Sequence, residues 1–453
     1  MSCHKLSFFV LGLSAFSTIA PAATERTLVA FTSPAKPGQL NTGVNPRGTL
    51  LRDAAGALYG ANMLGGAYYN GTIFKLTPPA AGQTGWTLSI LYTFMGGTDG
   101  GLPNSGLVMD SSGAIYGTAD SGGYSWLNQG VVFKLTPPAP GTTQWHYSVI
   151  HSFYHSYAYG ADDGANPGAG LVMDRYGNLY GTTNLGGNIA SLNDYGTVYK
   201  LTPLDAAKTK WQETVLYRFQ GGADGSNPMT ALTLDVAGAL YGVTLYGGSG
   251  RCTDMLGNII GCGTVFKLAP PAAGQSAWKK TTIRYFTGPD GNQPVGRLFL
   301  DAYGILYGTT FQGGSGRCTD GLLNIVGCGI VFKMTPPTLG QTAWNEYILH
   351  DFTGGLDGAF PQGGVIPDAS GALVGTTSGG GPSSYGVGNS GVVFRLVAGQ
   401  AGWTETALFN FNPSTSGDTA VGELIRDPYG NFYGVGHQGG PQYGGTVYEI
   451  TMP

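Results

Sequence analysis

The chain has 453 residues and a formal net charge of −4, with charged residues at 11% against a usual ~25%. Its 79 glycines, 12% aromatics and abundant Val, Ile, Leu and Tyr argue against disorder and for a turn-dense β protein. Lys and Arg are scattered without a basic excess, which speaks against nucleic acid or an anionic membrane surface as a partner.

The first predicted element is an export signal. Lys5 supplies a positive start, residues 6–19 an apolar run, and Ala20-Pro21-Ala22 an A-x-A-like cleavage site. That run is too short to span a bilayer and no other stretch is long enough, so no membrane span is expected. Cys3 precedes the run and cannot serve as a lipidation site after cleavage. Cleavage near Ala22 would leave residues 23–453 as a single domain, secreted to the periplasm or the medium.

Seven times along this mature chain one phrase recurs. A short apolar run ends in Asp, then comes x-x-Gly-x-Leu-Tyr-Gly-Thr-Thr, a Gly-Gly loop, and Gly-Thr-Val-Phe-Lys-Leu-Thr-Pro-Pro. Its Asp stands at Asp53, Asp110, Asp174, Asp235, Asp301, Asp368 and Asp427, spaced by 57 to 67 residues. A fixed period of this kind signals an array or a closed propeller, because one unit cannot bury both faces of its own sheet.

Each unit parses into four short strands. In the third they are residues 170–173, 179–183, 197–201 and 214–219, rich in β-branched and aromatic residues and bounded by Gly, Pro, Asn or Asp. Asp-x-x-Gly joins the first two, the Asp suited to bonding the turn backbone and the Gly to positive φ. An Asp present in all seven units is read as structural. No helical patterning exists, so sheet must cover sheet, and units of this size suit propeller blades.

The chain ends complete the argument. Residues 27–31 form a spare strand of the fourth type, and the last unit stops after a strand of the third type at 446–450. Pairing them closes the ring and hides an edge. The expected fold is all-β: a seven-bladed propeller of four-stranded antiparallel blades, latched by its N-terminal strand.

The phrases Leu-Tyr-Gly-Thr-Thr at 179–183 and 306–310, and Gly-Thr-Val-Phe-Lys-Leu at 263–268, also carry a resemblance. The chain resembles the glycine-rich tandem-repeat family called GloVer, over nearly its whole mature length. The resemblance implies an exported repeat protein and no particular activity. Members are described as having a choice of C-terminal anchor. This chain ends at Met452-Pro453 without a sorting tail, which counts against surface anchoring.

In an antiparallel meander, alternate connections emerge on opposite faces. One face carries the uniform Asp-x-x-Gly turns and the loops bearing Trp86, Trp145, Trp211, Trp278, Trp344 and Trp403, which are read as blade packing. The other face varies from blade to blade, with insertions at 67–70, 124–129, 188–195 and 249–262. Loop variation on a uniform scaffold is how binding sites are commonly built. Aromatics gather there: Tyr68, Tyr69, Tyr124, Trp126, Tyr195, Tyr385 and Tyr443, with His155, Tyr157 and Tyr159 on a crossing. Flat rings among Asn, Gln and Gly suit sugar faces, and they equally suit pinning long loops.

Two matched loops hold four cysteines ten apart, and export permits the disulfides Cys252–Cys262 and Cys318–Cys328. A four-Cys metal site lacks the required C-x₂₋₄-C spacing, so no metal is expected. The crossings read Gly-Gly-x-Asp-Gly-x-x-Pro with one carboxylate each, which leaves calcium unsupported and favours an Asx-type turn. No cofactor is predicted.

For catalysis, the informative positions are those where one blade breaks the column. Before Gly-Gly, where others place Met63, Asn184, Leu245, Phe311 or Ser378, stand Asp120 and His437. At the start of the innermost strand stand Arg297 and Glu423, with Tyr246 and Gln312 in an adjacent column. His437 with Tyr246 would suit proton abstraction beside a uronate whose carboxylate Arg297 neutralises, which is lyase chemistry. Asp120 with Glu423 would suit the carboxylate pair of a glycosidase. A wet channel lined by polar residues explains the same pattern without chemistry. The leading expectation is a secreted, monomeric, glycan-binding propeller using the variable face. The alternative is a polysaccharide lyase or glycoside hydrolase at the central opening, and a third reading is an adhesive surface protein.

Overall fold

The computed structural model describes residues 23–32, 41–123, 128–154, 163–187, 194–254, 256–382 and 390–452. Among these the strands form seven antiparallel sheets, with two 3₁₀ turns at Gly97–Asp99 and Gly222–Asp224 and no α-helix. No helix among them is long and apolar enough to cross a membrane. The first blade runs Val44–Arg52, Leu58–Leu64, Thr72–Thr77 and Thr87–Thr93 from axis to rim, each strand paired with the next. The following blades repeat that order. In the sixth the inner strand is split into Ala359–Pro361 and Ile366–Pro367, both paired with Leu373–Gly379.

The seventh blade supplies Asp418–Arg426, Phe432–Gln438 and Tyr443–Thr451, and Thr24–Thr32 adds antiparallel as its outer strand. Thr24 stands opposite Thr451 and Ala30 opposite Thr446. The propeller is therefore closed by the N-terminal latch that the unpaired strand types require.

Burial explains the repeat. Every blade is sandwiched between two others, so its middle strands lose solvent on both faces; Ile115–Ala119 is buried throughout. The outer strands keep one wet side, and Trp211–Arg218 accordingly has exposed and half-buried residues and none buried. Gly60 of the second strand lies opposite Phe74 of the third. A Cβ there would come within 2.5 Å of the Phe74 ring, so the Gly of Leu-Tyr-Gly is set by a close approach.

The repeated Asp has a structural role. Asp53 Oδ1 accepts the Ala57 amide at 2.9 Å and Oδ2 the Tyr59 hydroxyl at 2.9 Å. Asp110, Asp174, Asp235, Asp301 and Asp427 likewise accept the hydroxyl of the Tyr six residues on. That Tyr also meets the Trp of the following blade. Tyr59 faces Trp145, Tyr116 Trp211, Tyr180 Trp278, Tyr241 Trp344 and Tyr433 Trp86, with centroids 5.8 to 6.5 Å apart. Tyr307 and Trp403 share one apolar cluster. The tryptophans thus pack between blades. The sixth blade has Val374 in the Tyr column, and the latch strand facing it brings no Trp. Val374 packs in a cluster with Ala23 and Met452 instead, and Asp368 is taken by Arg395 Nε at 2.7 Å.

Candidate functional site

Glycines set the spacing at the axis. A Cβ on Gly48 would come 2.3 Å from the Ser105 backbone, one on Gly296 2.1 Å from Gly364, and one on Gly363 2.1 Å from Gly422. Inner strands of adjoining blades therefore touch by their backbones, and the residues next to these glycines face the central space. In that following column Thr49, Arg297 and Glu423 carry the polar side chains.

A cavity of ≈ 590 Å³ opens along the axis, with walls from all seven blades; its polar lining includes Arg47, Asn104, Thr230, Arg297, Gln362 and Glu423. A second, ≈ 750 Å³, lies toward the Asp-turn face and shares Thr49, Arg297 and Glu423 with the first. Arg297 and Glu423 thus form the waist between the two cavities. The sequence reading puts them at the start of the inner strands. The strands begin earlier, at Asn292 and Asp418, because the residues after the crossing already pair, Pro294 with Thr310 and Ala420 with Gly436. Glu423 Oε1 accepts the main-chain amide of Arg297 at 2.5 Å, and burial pushes its carboxyl up to about 7 against the pull of Arg297.

His437 is 8% exposed at the junction of blades seven and one. The Arg47 guanidinium lies along its ring, Nε to Nδ1 and Nη2 to Nε2 both at 3.4 Å. Asn45 Nδ2 donates to the His437 carbonyl at 3.3 Å. Burial, then the Arg47 charge, push the imidazole down to about 4, opposed by the Pro46 carbonyl. Asp120 is raised by burial against the attraction of Arg47. Its Oδ1 is buried without a partner, as are Asn104 Oδ1 and Thr230 Oγ1. Asp120 and Asn104 converge on Gly168, where a Cβ would lie 3.4 Å from Asp120 Oδ1 and 3.6 Å from Asn104 Nδ2.

Arg47 and Asn104 are the residues that the sequence reading misses. Both follow the Pro of a crossing, in a column otherwise filled by Gly168, Met229, Val295, Gln362 and Val421. The same search for exceptions would find them. The residue before that position's Pro or Ala is left-handed in every blade: Asn45, Leu102, Asn166, Asn227, Gln293, Phe360 and Thr419 all have φ between 50 and 58°. After this kink Arg47 lies against His437 and Gly168 against Asp120, each the pre-Gly-Gly residue of the preceding blade. Asn166 Nδ2 donates to the Asp120 carbonyl and Asn227 Nδ2 to that of Asn184, as Asn45 does to His437.

The remaining predicted residues scatter. Tyr246 is raised by burial and by Asp254 in the first cysteine loop, and shares no hydrogen bond with His437. Gln312 Oε1 accepts Asn292 Nδ2 at 3.1 Å. Asp120 and Glu423 share no hydrogen bond; the first answers to Arg47 and the second to Arg297. Tyr195 packs with Tyr180 and Phe219 and lies over Gly221, where a Cβ would be 2.3 Å from its ring, so it pins its loop. Tyr68 and Tyr69 are 56% and 59% exposed, and Tyr443 is 78%. Tyr69 and Tyr443 sit at matching positions of two adjoining blades, each with φ near +60° before a parallel bridge. Tyr124, Trp126, His155, Tyr157, Tyr159 and Tyr385 lie outside the described residues, as does the signal segment.

Both disulfides form within their loops, Cys252 with Cys262 and Cys318 with Cys328. The crossing carboxylates are engaged in turns: Asp99 accepts the Tyr92 hydroxyl and the Met95 amide, and Asp224 the Tyr217 hydroxyl and the Gln220 amide.

Fold and cavity define a seven-bladed β-propeller with a polar axial pocket. The chain belongs to the Gloeobacter/Verrucomicrobia repeat family, whose model matches residues 14–256 and 256–453. No curated protein matches it. Among solved structures it is similar to a luciferin-regenerating enzyme, 14% identical over 95% of each chain with a TM-score of 0.38. It is also similar to an unknown-function protein from Dyadobacter fermentans, 9% identical over 95% of this chain and 99% of that one, TM-score 0.38. A glucose dehydrogenase is 12% identical over 95% and 100%, TM-score 0.38. Likenesses this weak carry no conclusion about activity.

Proposed function

We propose that this protein is a secreted glycan-binding propeller whose ligand enters the axial cavity from the face with variable loops. The observation that carries the reading is the set of buried polar atoms without partners at that cavity: Asn104 Oδ1, Thr230 Oγ1 and, behind Gly168, Asp120 Oδ1. Unmet acceptors in a roomy polar site are what the hydroxyls of a sugar satisfy. The exposed rings of Tyr69 and Tyr443 supply apolar faces on loops of adjoining blades. Secretion is supported by the N-terminal apolar run and by two disulfides, which need an oxidising compartment. The test is titration of the mature protein with a panel of oligosaccharides. A glycan should bind, and Asn104→Ala and Tyr69→Ala should each weaken it. No binding across the panel, or binding unchanged in the double variant, refutes the reading.

A second reading, cleavage of the bound polysaccharide, is favoured by one feature. His437 is held neutral beside Arg47, as a base must be, and the Glu423 carboxyl, pushed up to about 7, titrates near neutral pH as a general acid does. New reducing ends, or an unsaturated product absorbing in the ultraviolet, would establish it. Full turnover in both His437→Ala and Glu423→Ala would remove these residues from the chemistry.

A further inference from the structure

The charge on the cavity wall differs from that of the whole chain. The protein carries −4, yet the charged residues lining the axial cavity are Arg47, Arg297 and Glu423. With Asp120 behind Gly168 counted, two arginines stand against two carboxyls, and the wall is net positive wherever burial keeps either carboxyl protonated. Among the described residues neither arginine has an ion-pair partner, whereas Arg284 and Arg395 elsewhere are paired with carboxylates. The nearby acids do not fill the role. Glu423 spends Oε1 on the main-chain amide of Arg297, and among the described residues the Arg47 guanidinium lies against the two ring nitrogens of His437, attracted by Asp120 but in no ion pair with it. His437 cannot compensate a cation, since it is neutral or positive in either state.

A half-buried guanidinium with no carboxylate in ion-pair contact is costly to keep, and its planar fork matches two oxygens of an anionic group. Arg47 and Arg297 stand on blades one and five, at the upper wall and the waist of one cavity.

We infer that the ligand of the axial cavity is an acidic glycan, its carboxylate or sulfate groups taken by Arg47 and Arg297. This inference rests on the reading of the cavity as a glycan site. The two sources of negative charge share one chemistry and are separated by probe.

Isothermal titration would use four probes: an oligogalacturonide of four to six sugars, its methyl ester, a sulfated galactan oligomer, and its desulfated form. At least one acidic oligomer should bind tenfold or more tightly than its neutral counterpart, with affinity falling as salt rises. Arg297→Gln and Arg47→Gln should each lower that affinity about tenfold, the scale of one charge-assisted hydrogen bond, and lower that of the neutral oligomer less. Arg297 is exposed at the waist, so its variant should fold even if Arg47→Gln perturbs the His437 junction. Equal binding of acidic and neutral forms would overturn the inference and leave the glycan reading standing. Binding of no oligosaccharide in the wider panel would take both down.

Discussion

Trp86 of the first blade packs edge-on against Tyr433 of the seventh, their ring centroids 6.3 Å apart. The contact repeats the one between Tyr59 and Trp145 inside the array, at 6.4 Å. The junction made by ring closure is thus built like a junction between blades consecutive in sequence.

Trp86→Ala should therefore cost as much as Trp145→Ala. Both rings are half-buried, so about 2–3 kcal/mol is expected for each, below the usual range for a fully buried aromatic. Urea unfolding of the two variants measures it. A near-silent Trp86→Ala beside a costly Trp145→Ala would mean that the ring opens at the latch.

Glu213, Glu346 and Glu405 stand on outer strands, and burial pushes each carboxyl up to about 7 from 4.5. Asp163 raises Glu213 further and Asp357 raises Glu405, while Arg284 opposes the shift in Glu346. The folded state then binds more protons than the unfolded between those values. Their stabilising effect is complete below pH 4.5 and lost as pH rises through about 7. Glu405→Gln should match the parent near pH 4.5 and exceed its Tm at pH 8. A gap that does not widen with pH contradicts the assignment.

His437 moves the other way. Its folded value lies below the ordinary 6.5, so stability from the neutral ring is present above 6.5 and lost as pH falls through about 4. Ring nitrogen NMR should find it neutral at pH 6 with a midpoint near 4. Arg47→Gln should move that midpoint upward, short of 6.5 because burial remains. A midpoint above 6 in the parent would reverse the picture of a neutral base.

Replacing Cys252 and Cys262 together by Ser should destabilise their loop by about 2–3 kcal/mol, the value of closing a short ring. Cys318 and Cys328 should behave alike, since their loop repeats the same turn: Asp320 accepts from Leu322 and Asn324 as Asp254 does from Leu256 and Asn258. Protease nicking within residues 253–261 reads the local effect. Equal nicking before and after the substitution would mean that the turn, not the bond, holds the loop.

The blade count, the strand types and the latch were legible in the residues because they are written seven times, and strand pairing follows from type and turn. Leu179–Thr183 has the same bounds in sequence and structure. The disulfide partners were legible for a similar reason, each pair being local. Of the proposed chemistry, the pairings were not legible in the residues. Tyr246 lies with Asp254 and Gln312 with Asn292, both within their own blade or loop.

What the sequence by itself determined is the repeating unit and its closure, since a period of two along strands and Gly at close approaches are local constraints. Only the tertiary structure decided which blade's exception meets which. His437 and Arg47 are 390 residues apart in the chain and 3.4 Å apart in space. They meet because the left-handed residue Asn45 turns the first inner strand against the last blade, and because the ring closes there. Contacts across a closure depend on the geometry of all seven blades at once, which no single repeat encodes.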